Sequence, residues 1–320
     1  MLRRLALIAV AILIIAAALG WFLTAPEPLS ANELPAHQPD LANGELIFYA
    51  GGCTSCHAAP EAKGEEKLKL AGGLELKTDF GTFRVPNISP DPETGIGGWS
   101  TLDFANAVLR GVSPGGAHFY PAFPYPSYAR MRVEDVIDLK AFMDTLPAVS
   151  NRVAGHDLGF PFNIRRGVGV WKLLYFSAAP VLDLAAASEP VRRGQYLAEG
   201  PGHCGECHTS RDLMGGVKKS LWLAGAPNPE GKGTIPNITP GPGGLEWSES
   251  EIVGVFKTGF KPDFVDTLGG RMGAVQENLA HLADADLQAI AAYLKAVPPL
   301  PDAVPKSAGD AGQAGAPAAQ

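Results

Sequence analysis

The sequence predicts an all-α chain in which two similar helical domains follow an N-terminal transmembrane helix. Three observations lead to that class. Fragments of the second half repeat those of the first, in the same order and at nearly constant offset. Helix-start signals fall at corresponding places in the two copies. No stretch keeps the alternation of apolar and polar residues that a half-buried strand needs.

The transmembrane helix comes first. Arg3 and Arg4 precede an unbroken apolar run from Leu5 to Leu23, with Trp21 and Phe22 near its end, where interfacial aromatics belong. A cleaved leader has an apolar core of about 7–15 residues, whereas this run has the length of one bilayer pass. Cleavage sites are poor: Pro26 follows Ala25, and bulky Leu29 lies two places before Ala31. Lys or Arg next appears at Lys63, so the charge bias leaves the N-terminus in the cytoplasm and the body outside it. We expect residues 1–24 to be an uncleaved anchor in the inner membrane and 25–39 a linker, with the body in the periplasm.

The repeat defines the rest. Cys53 matches Cys204, Val85–Pro90 (VPNISP) matches Ile235–Pro240 (IPNITP), and Trp99 matches Trp247. Met131–Pro147 matches Leu282–Pro298. A period this long means tandem domains, not a solenoid. The expected boundaries are 40–150 for the first domain, 151–188 for a connecting segment, and 189–300 for the second domain. Residues 301–320, rich in Ala, Gly and Pro, read as a disordered tail. Each domain opens with a short helix, Leu41–Ala50 or Pro190–Glu199, carrying Gly44 or Gly194 in its middle. A helix capped by Ser100 or Ser248 comes later, with an acid three residues on. A last helix starts near Val133 or Asp284, and Pro147 or Pro298 stands at its end. With 26 basic and 33 acidic residues the net charge is −7, which argues against nucleic acid as a partner.

All four cysteines fall in two C-x-x-C-H motifs, Cys53–Cys56–His57 and Cys204–Cys207–His208. That spacing lets two sulfurs form thioethers with the two vinyl groups on one edge of a haem while the next residue, His, reaches the iron. A disulfide framework would scatter its cysteines, a thioredoxin-like pair needs no His, and a zinc site would set its two pairs close together. Two covalently bound haem c groups follow, ligated by His57 and His208. They also supply bulk to domains that would bury thin cores alone.

The sixth ligands are less constrained. Met272, in a Gly-rich loop before the last helix, is the candidate for the second haem. For the first, Met131 lies just before the last helix, but its repeat partner is Leu282, not Met272. His118 is the fallback, and Met143 belongs to the core. His37, His156, His203 and His281 have no partner motif and read as surface or structural residues. The segment Asn163–Phe176 (NIRRGVGVWKLLYF) has two readings: a helix packing the domains together, or a basic and aromatic strip that docks on a partner or a bilayer.

The stretches Thr78–Pro90 (TDFGTFRVPNISP), Gly95–Ser100 (GIGGWS), Tyr120–Tyr128 (YPAFPYPSY) and Phe160–Arg166 (FPFNIRR), with Trp171, resemble the cytochrome c subunits of membrane-bound alcohol, gluconate and aldehyde dehydrogenases. The resemblance covers about residues 40–300. It implies cytochrome-c-like domains with His57 and Met131 on one iron and His208 and Met272 on the other. It also implies a redox partner that donates, a flavin or quinone-cofactor dehydrogenase, and an acceptor, membrane quinone or an oxidase. Those subunits usually carry three haem motifs where this chain has two. The expected function is electron transfer with no substrate site. A di-haem peroxidase, the rival, would have to keep one iron site open, and a methionine candidate in each half argues against it.

Overall fold

The computed structural model describes residues 2–229 and 233–304. Helix α1, Leu2–Leu23, is the apolar run, and it buries none of its side chains. The chain then lies down on the body. Asn106 receives the Leu29 N–H at 2.5 Å and returns a bond to its carbonyl at 3.3 Å, and His37 Nε2 meets Asp138 Oδ1 at 2.7 Å. The expected linker over 25–39 is therefore laid against the first half and not free.

The first half contains α2 (Leu41–Ala50), α3 (Cys53–His57), α4 (Thr101–Ala105, continued as a wider turn to Arg110), α5 (Tyr125–Tyr128) and α6 (Val133–Met143). After the connecting helix α7 (Gly167–Tyr175), the second half contains α8 (Glu189–Glu199), α9 (Gly205–His208), α10 (Glu249–Thr258), α11 (Gly270–Leu279) and α12 (Asp284–Ala296). The starts follow local chemistry. Asp40 accepts the N–H groups of Ala42 and Asn43 ahead of α2. Ser100 with Asp103, and Ser248 with Glu251, close reciprocal capping boxes on α4 and α10.

Within each half the first helix crosses the last. The crossings are tight because of two glycines: a Cβ on Gly44 would overlap the Asp138 carbonyl, and one on Gly194 the Ala289 carbonyl. Asp138 and Ala289 are themselves equivalent in the repeat. The core divides accordingly. Ile47, Phe48, Val136 and Met143 lie in one cluster, and Leu197, Ile252, Leu287 and Tyr293 in the other.

The all-α expectation needs one correction, since the mostly helical chain also has two small antiparallel sheets. Strands β1 (Glu75–Thr78) and β2 (Gly81–Arg84) form a hairpin that pairs Leu76 with Phe83, and β3 (Asp157–Leu158) joins β2. Strands β4 (Ala226–Pro227) and β5 (Thr234–Ile235) make the second. In β1 only Leu76 is even partly covered, so it carries too little apolar alternation to register as a strand. Of the expected tail, residues 301–304 are described, with the Ala303 N–H donating to the Ala224 carbonyl at 2.8 Å. Residues 305–320 lie outside the described residues.

Helix α7 bridges the halves. Lys172 Nζ donates to the carbonyls of Arg110 (2.5 Å) and Gly111 (3.0 Å) in the first half. Trp171 Nε1 donates to the Met214 carbonyl at 3.0 Å, and the Tyr175 hydroxyl to Asp212 at 2.8 Å, in the second.

Candidate functional site

Each cysteine–histidine motif is one short helical turn. Helical spacing puts cysteines three apart on one side of the turn and the following histidine beside the first of them. Entry into α3 uses Gly52 in the left-handed conformation, with φ 57°. The repeat equivalent is His203, which takes φ 38° without being glycine. That conformation costs a side-chain-bearing residue about 1–2 kcal/mol. His203 has fixed partners there: its Nδ1 meets the Pro201 carbonyl at 2.7 Å, and its ring lies edge-on to Tyr128 at 5.5 Å.

Both motif histidines are oriented the same way. His57 Nδ1 sits 2.9 Å from the Pro86 carbonyl, and His208 Nδ1 2.8 Å from the Pro236 carbonyl. A carbonyl only accepts, so Nδ1 carries the proton and the Nε2 lone pair is left for a metal. Burial pushes the His57 imidazole down to about 4 and lowers His208 as well, against the opposing effect of those carbonyl bonds. Both rings are therefore neutral, as iron ligation requires.

The cysteines do not resemble reactive thiols. Burial pushes Cys53 and Cys204 up to about 12, whereas thiol chemistry needs a depressed value. Both pack against the apolar core clusters. Among the described residues no three His, Cys, Asp or Glu side chains converge as a metal cluster. Iron here would have to arrive inside a macrocycle that brings most of its own ligands. An apolar seat for one edge, two sulfurs on one side of a turn and an oriented neutral imidazole fit haem.

The repeated Val-Pro-Asn-Ile-Ser and Ile-Pro-Asn-Ile-Thr fragments have a second duty. Asn87 folds back to accept from Ser89 N at 2.9 Å and donates to the Val149 carbonyl at 2.7 Å. Asn237 accepts from Thr239 N at 2.9 Å and donates to the Leu300 carbonyl at 2.8 Å. One five-residue fragment thus aims the histidine and pins the end of its own half. The repeat marks these fragments in the sequence, although their role needed coordinates.

Met131 is buried in the same cluster that Cys53 packs against, and Met272 packs on the cluster that Cys204 joins. Met272 does not lie in a loop as expected. It falls in the first turn of α11, which begins at Gly270. Met143 is buried on α6, as a core residue should be. His118 is turned elsewhere: it is buried, with Nε2 on the Thr24 carbonyl at 2.9 Å just beyond α1. His37, His156, His203 and His281 are held by Asp138, the Arg84 N–H, the Pro201 carbonyl and the Tyr49 ring respectively.

The two motifs meet across the seam between the halves. Ser127 Oγ on α5 donates to Glu206 Oε1 at 2.7 Å, inside the second motif. Asn278 on α11 takes the Thr54 hydroxyl at 2.8 Å and donates to Ser55 Oγ at 3.0 Å, inside the first. Ser55 also donates to the Ala274 carbonyl at 3.1 Å. Burial is the largest cause of the raised Cys207 thiol and Glu206 the next. Cys56 of the other half adds to it, so the two motifs lie within electrostatic reach of each other.

Comparison with known proteins places these features. The cytochrome c family profile matches residues 41–147. A protein of Cereibacter sphaeroides described as a diheme cytochrome c-type is 52% identical, over 93% of this chain and 99% of its own length. The cytochrome c subunit of the quinone-dependent alcohol dehydrogenase of Gluconobacter oxydans is 36% identical over 88% of this chain, which spans 61% of that subunit. The gluconate 2-dehydrogenase cytochrome c subunit of Pantoea cypripedii is 37% identical over 79% of this chain and 58% of its own length.

Proposed function

Since this chain belongs to the di-haem c-type cytochromes and binds haem c covalently, we propose that it is an electron-transfer protein with one haem on each motif. In this reading residues 40–150 and 189–300 are tandem cytochrome c domains. Cys53 and Cys56 would hold one haem and Cys204 and Cys207 the other, with His57 and Met131 serving one iron and His208 and Met272 the other. The donor is a periplasmic or membrane-bound dehydrogenase, in keeping with the relatives that are dehydrogenase subunits, and the acceptor belongs to the respiratory chain. Helix α1 holds the protein in the inner membrane, and both domains face the periplasm.

The observation that carries the reading is the meeting of the two motifs at the seam, which supports passage of electrons from one haem edge to the other. The chemistry that haem supplies when bound is a one-electron ferric/ferrous couple. The protein's part is to keep ligand geometry unchanged between the two states. Pro86 and Pro236 fix the histidine rings from behind. Met131 is held in packed core at the seam, its Cγ 3.6 Å from where a Cβ on Gly200 would stand. Met272 is fixed to a helical turn. A soft thioether on each side of this kind favours transfer over substrate binding.

The mass of the mature protein tests this: it should equal the polypeptide plus two haems, and haem should survive denaturing gels. Replacing Cys204 and Cys207 by Ala should leave one haem. Removal of both haems from the unmodified protein by acid–acetone would overturn the reading.

A further inference from the structure

Helix α7 is built inside out. Its charged residue points inward: Lys172 lies over the Tyr125 ring at 4.7 Å and bonds two backbone carbonyls. Val168 and Gly169, on the same side, are buried. Three of its apolar residues are left largely uncovered by the body. Val170, Leu173 and Leu174, spaced to share one face, are 52%, 61% and 65% exposed. Phe160 and Ile164, in the segment leading into the helix, and Leu213 are also exposed. The loop carrying Leu213 is tied to the helix by the bond from Trp171 to Met214. A soluble protein rarely leaves so many large side chains uncovered in one place.

The position of this patch says what covers it. Helix α1 has 22 residues, about 33 Å at 1.5 Å per residue, so it crosses a hydrocarbon core of about 30 Å and leaves Trp21 at the boundary. Arg166, the residue before α7, stacks on the Trp21 ring at 4.3 Å and also bonds its carbonyl. A Cβ on Gly169 would run into Thr24. The start of α7 is thereby clamped to the point where the chain leaves the bilayer. Arg166 thus stands at the level of Trp21, where lipid phosphates would lie, while Arg165 is turned onto the Tyr120 ring and donates to the His118 carbonyl.

We propose that α7 is a second membrane contact, its outward face resting with Phe160, Ile164 and Leu213 in the headgroup–acyl boundary of the bilayer that α1 crosses. This rests on the anchoring role of α1. The arrangement is that of an interfacial helix, apolar side down and the Arg166 cation at headgroup level, in this case fixed to a span instead of binding alone. It holds the body at one orientation on the membrane.

The test uses the full-length holoprotein in phosphatidylcholine–phosphatidylglycerol vesicles. With all native cysteines in thioethers, Leu174→Cys, Leu213→Cys and, as a solvent-exposed reference, Ser250→Cys each offer a single thiol for a nitroxide label. Collisions with oxygen and with a water-soluble nickel chelate are then measured. The chelate should reach positions 174 and 213 several-fold less than position 250, and oxygen should reach them more. If both reagents reach position 174 as they do 250, the face is in water and the proposal fails. If neither reaches it, protein covers the face and the proposal also fails. Protein that does not float with the vesicles would refute the anchor, and this inference with it. Additional reactive thiols would instead count against the haem attachment. Val170→Cys replaces Leu174→Cys should that variant lose its haem absorbance.

Discussion

Ser127 and Asn278 stand 151 residues apart and occupy the same place in the two repeats, and each reaches into the other half's haem motif. Ser127 donates to Glu206 and Asn278 to Ser55; Ser55 and Glu206 are also equivalent, each preceding the second cysteine of its motif. The seam is therefore self-complementary in the way a two-fold interface is, with residue i meeting j and j meeting i.

The two sides differ in what removal leaves behind. Ser127→Ala leaves Glu206 its ion pair with Arg211, so the loss should be about 1 kcal/mol. Asn278→Ala strips the partner from the buried Thr54 hydroxyl, while Ser55 keeps the Ala274 carbonyl, and should cost about 2–3 kcal/mol. Denaturant unfolding of the holoprotein checks the ranking. The double variant should also weaken the paired Soret circular-dichroism signal that arises when two haems lie close in fixed orientation. An undiminished signal would mean that the seam does not set their spacing.

Ligation of the first haem separates Met131 from His118. Met131→Ala should remove the sulfur-to-iron charge-transfer band of one ferric haem and open that haem to carbon monoxide. His118→Ala should do neither, because its Nε2 already serves the Thr24 carbonyl. Its effect should be to loosen the junction below α1. Met143→Leu, a volume-conserving change in packed core, should cost under about 1.5 kcal/mol. Carbon monoxide binding by His118→Ala but not by Met131→Ala would reverse the assignment.

What the sequence disclosed and what it hid divide along physical lines. Helices α4 and α10 lie where their capping serines put them, and α6 and α12 where their first-turn acids and terminal prolines do, because those signals act within one turn. The glycines of α2 and α8 stood out as an oddity, and the crossing partners that require them, Asp138 and Ala289, are far along the chain. Met272 looked like a loop residue because Gly269, Gly270 and Gly273 surround it. Helix α11 nonetheless begins at Gly270, an extension relative to α5, and packing against the second core overrides the local preference. Ser127 and Asn278 carried no motif. Their equivalence becomes visible only once the repeat is extended back beyond Met131 and Leu282, at the offset those residues share.

Lys172 gives the protein an alkaline signature. Burial lowers its amine from the ordinary 10.5 to about 8, with nearby Glu27 opposing and Arg110 assisting. Between about pH 8 and 10.5 the unfolded chain binds a proton there that the folded chain does not. Stability from this group therefore rises with pH across that window and is lost as pH falls through 8. Relative to Lys172→Met, the wild-type midpoint in detergent should gain steadily from pH 8 to 10.5. A constant difference would mean that the amine titrates normally in the folded protein.

A contact surface that maps onto itself under the repeat is what two copies of a single-haem ancestor would make as a symmetric pair. Joining the copies in one chain removes the dependence of that pairing on concentration, since the partner is always attached. It also frees each side to change without its twin. Gly52 corresponds to His203 and Ser55 to Glu206, so at these two positions the second motif carries an imidazole and a carboxylate where the first carries neither. Two identical carriers would have no preferred direction between them. A fused and diverged pair can hold its two irons in unequal surroundings, and an unequal pair can have a fixed entrance and a fixed exit.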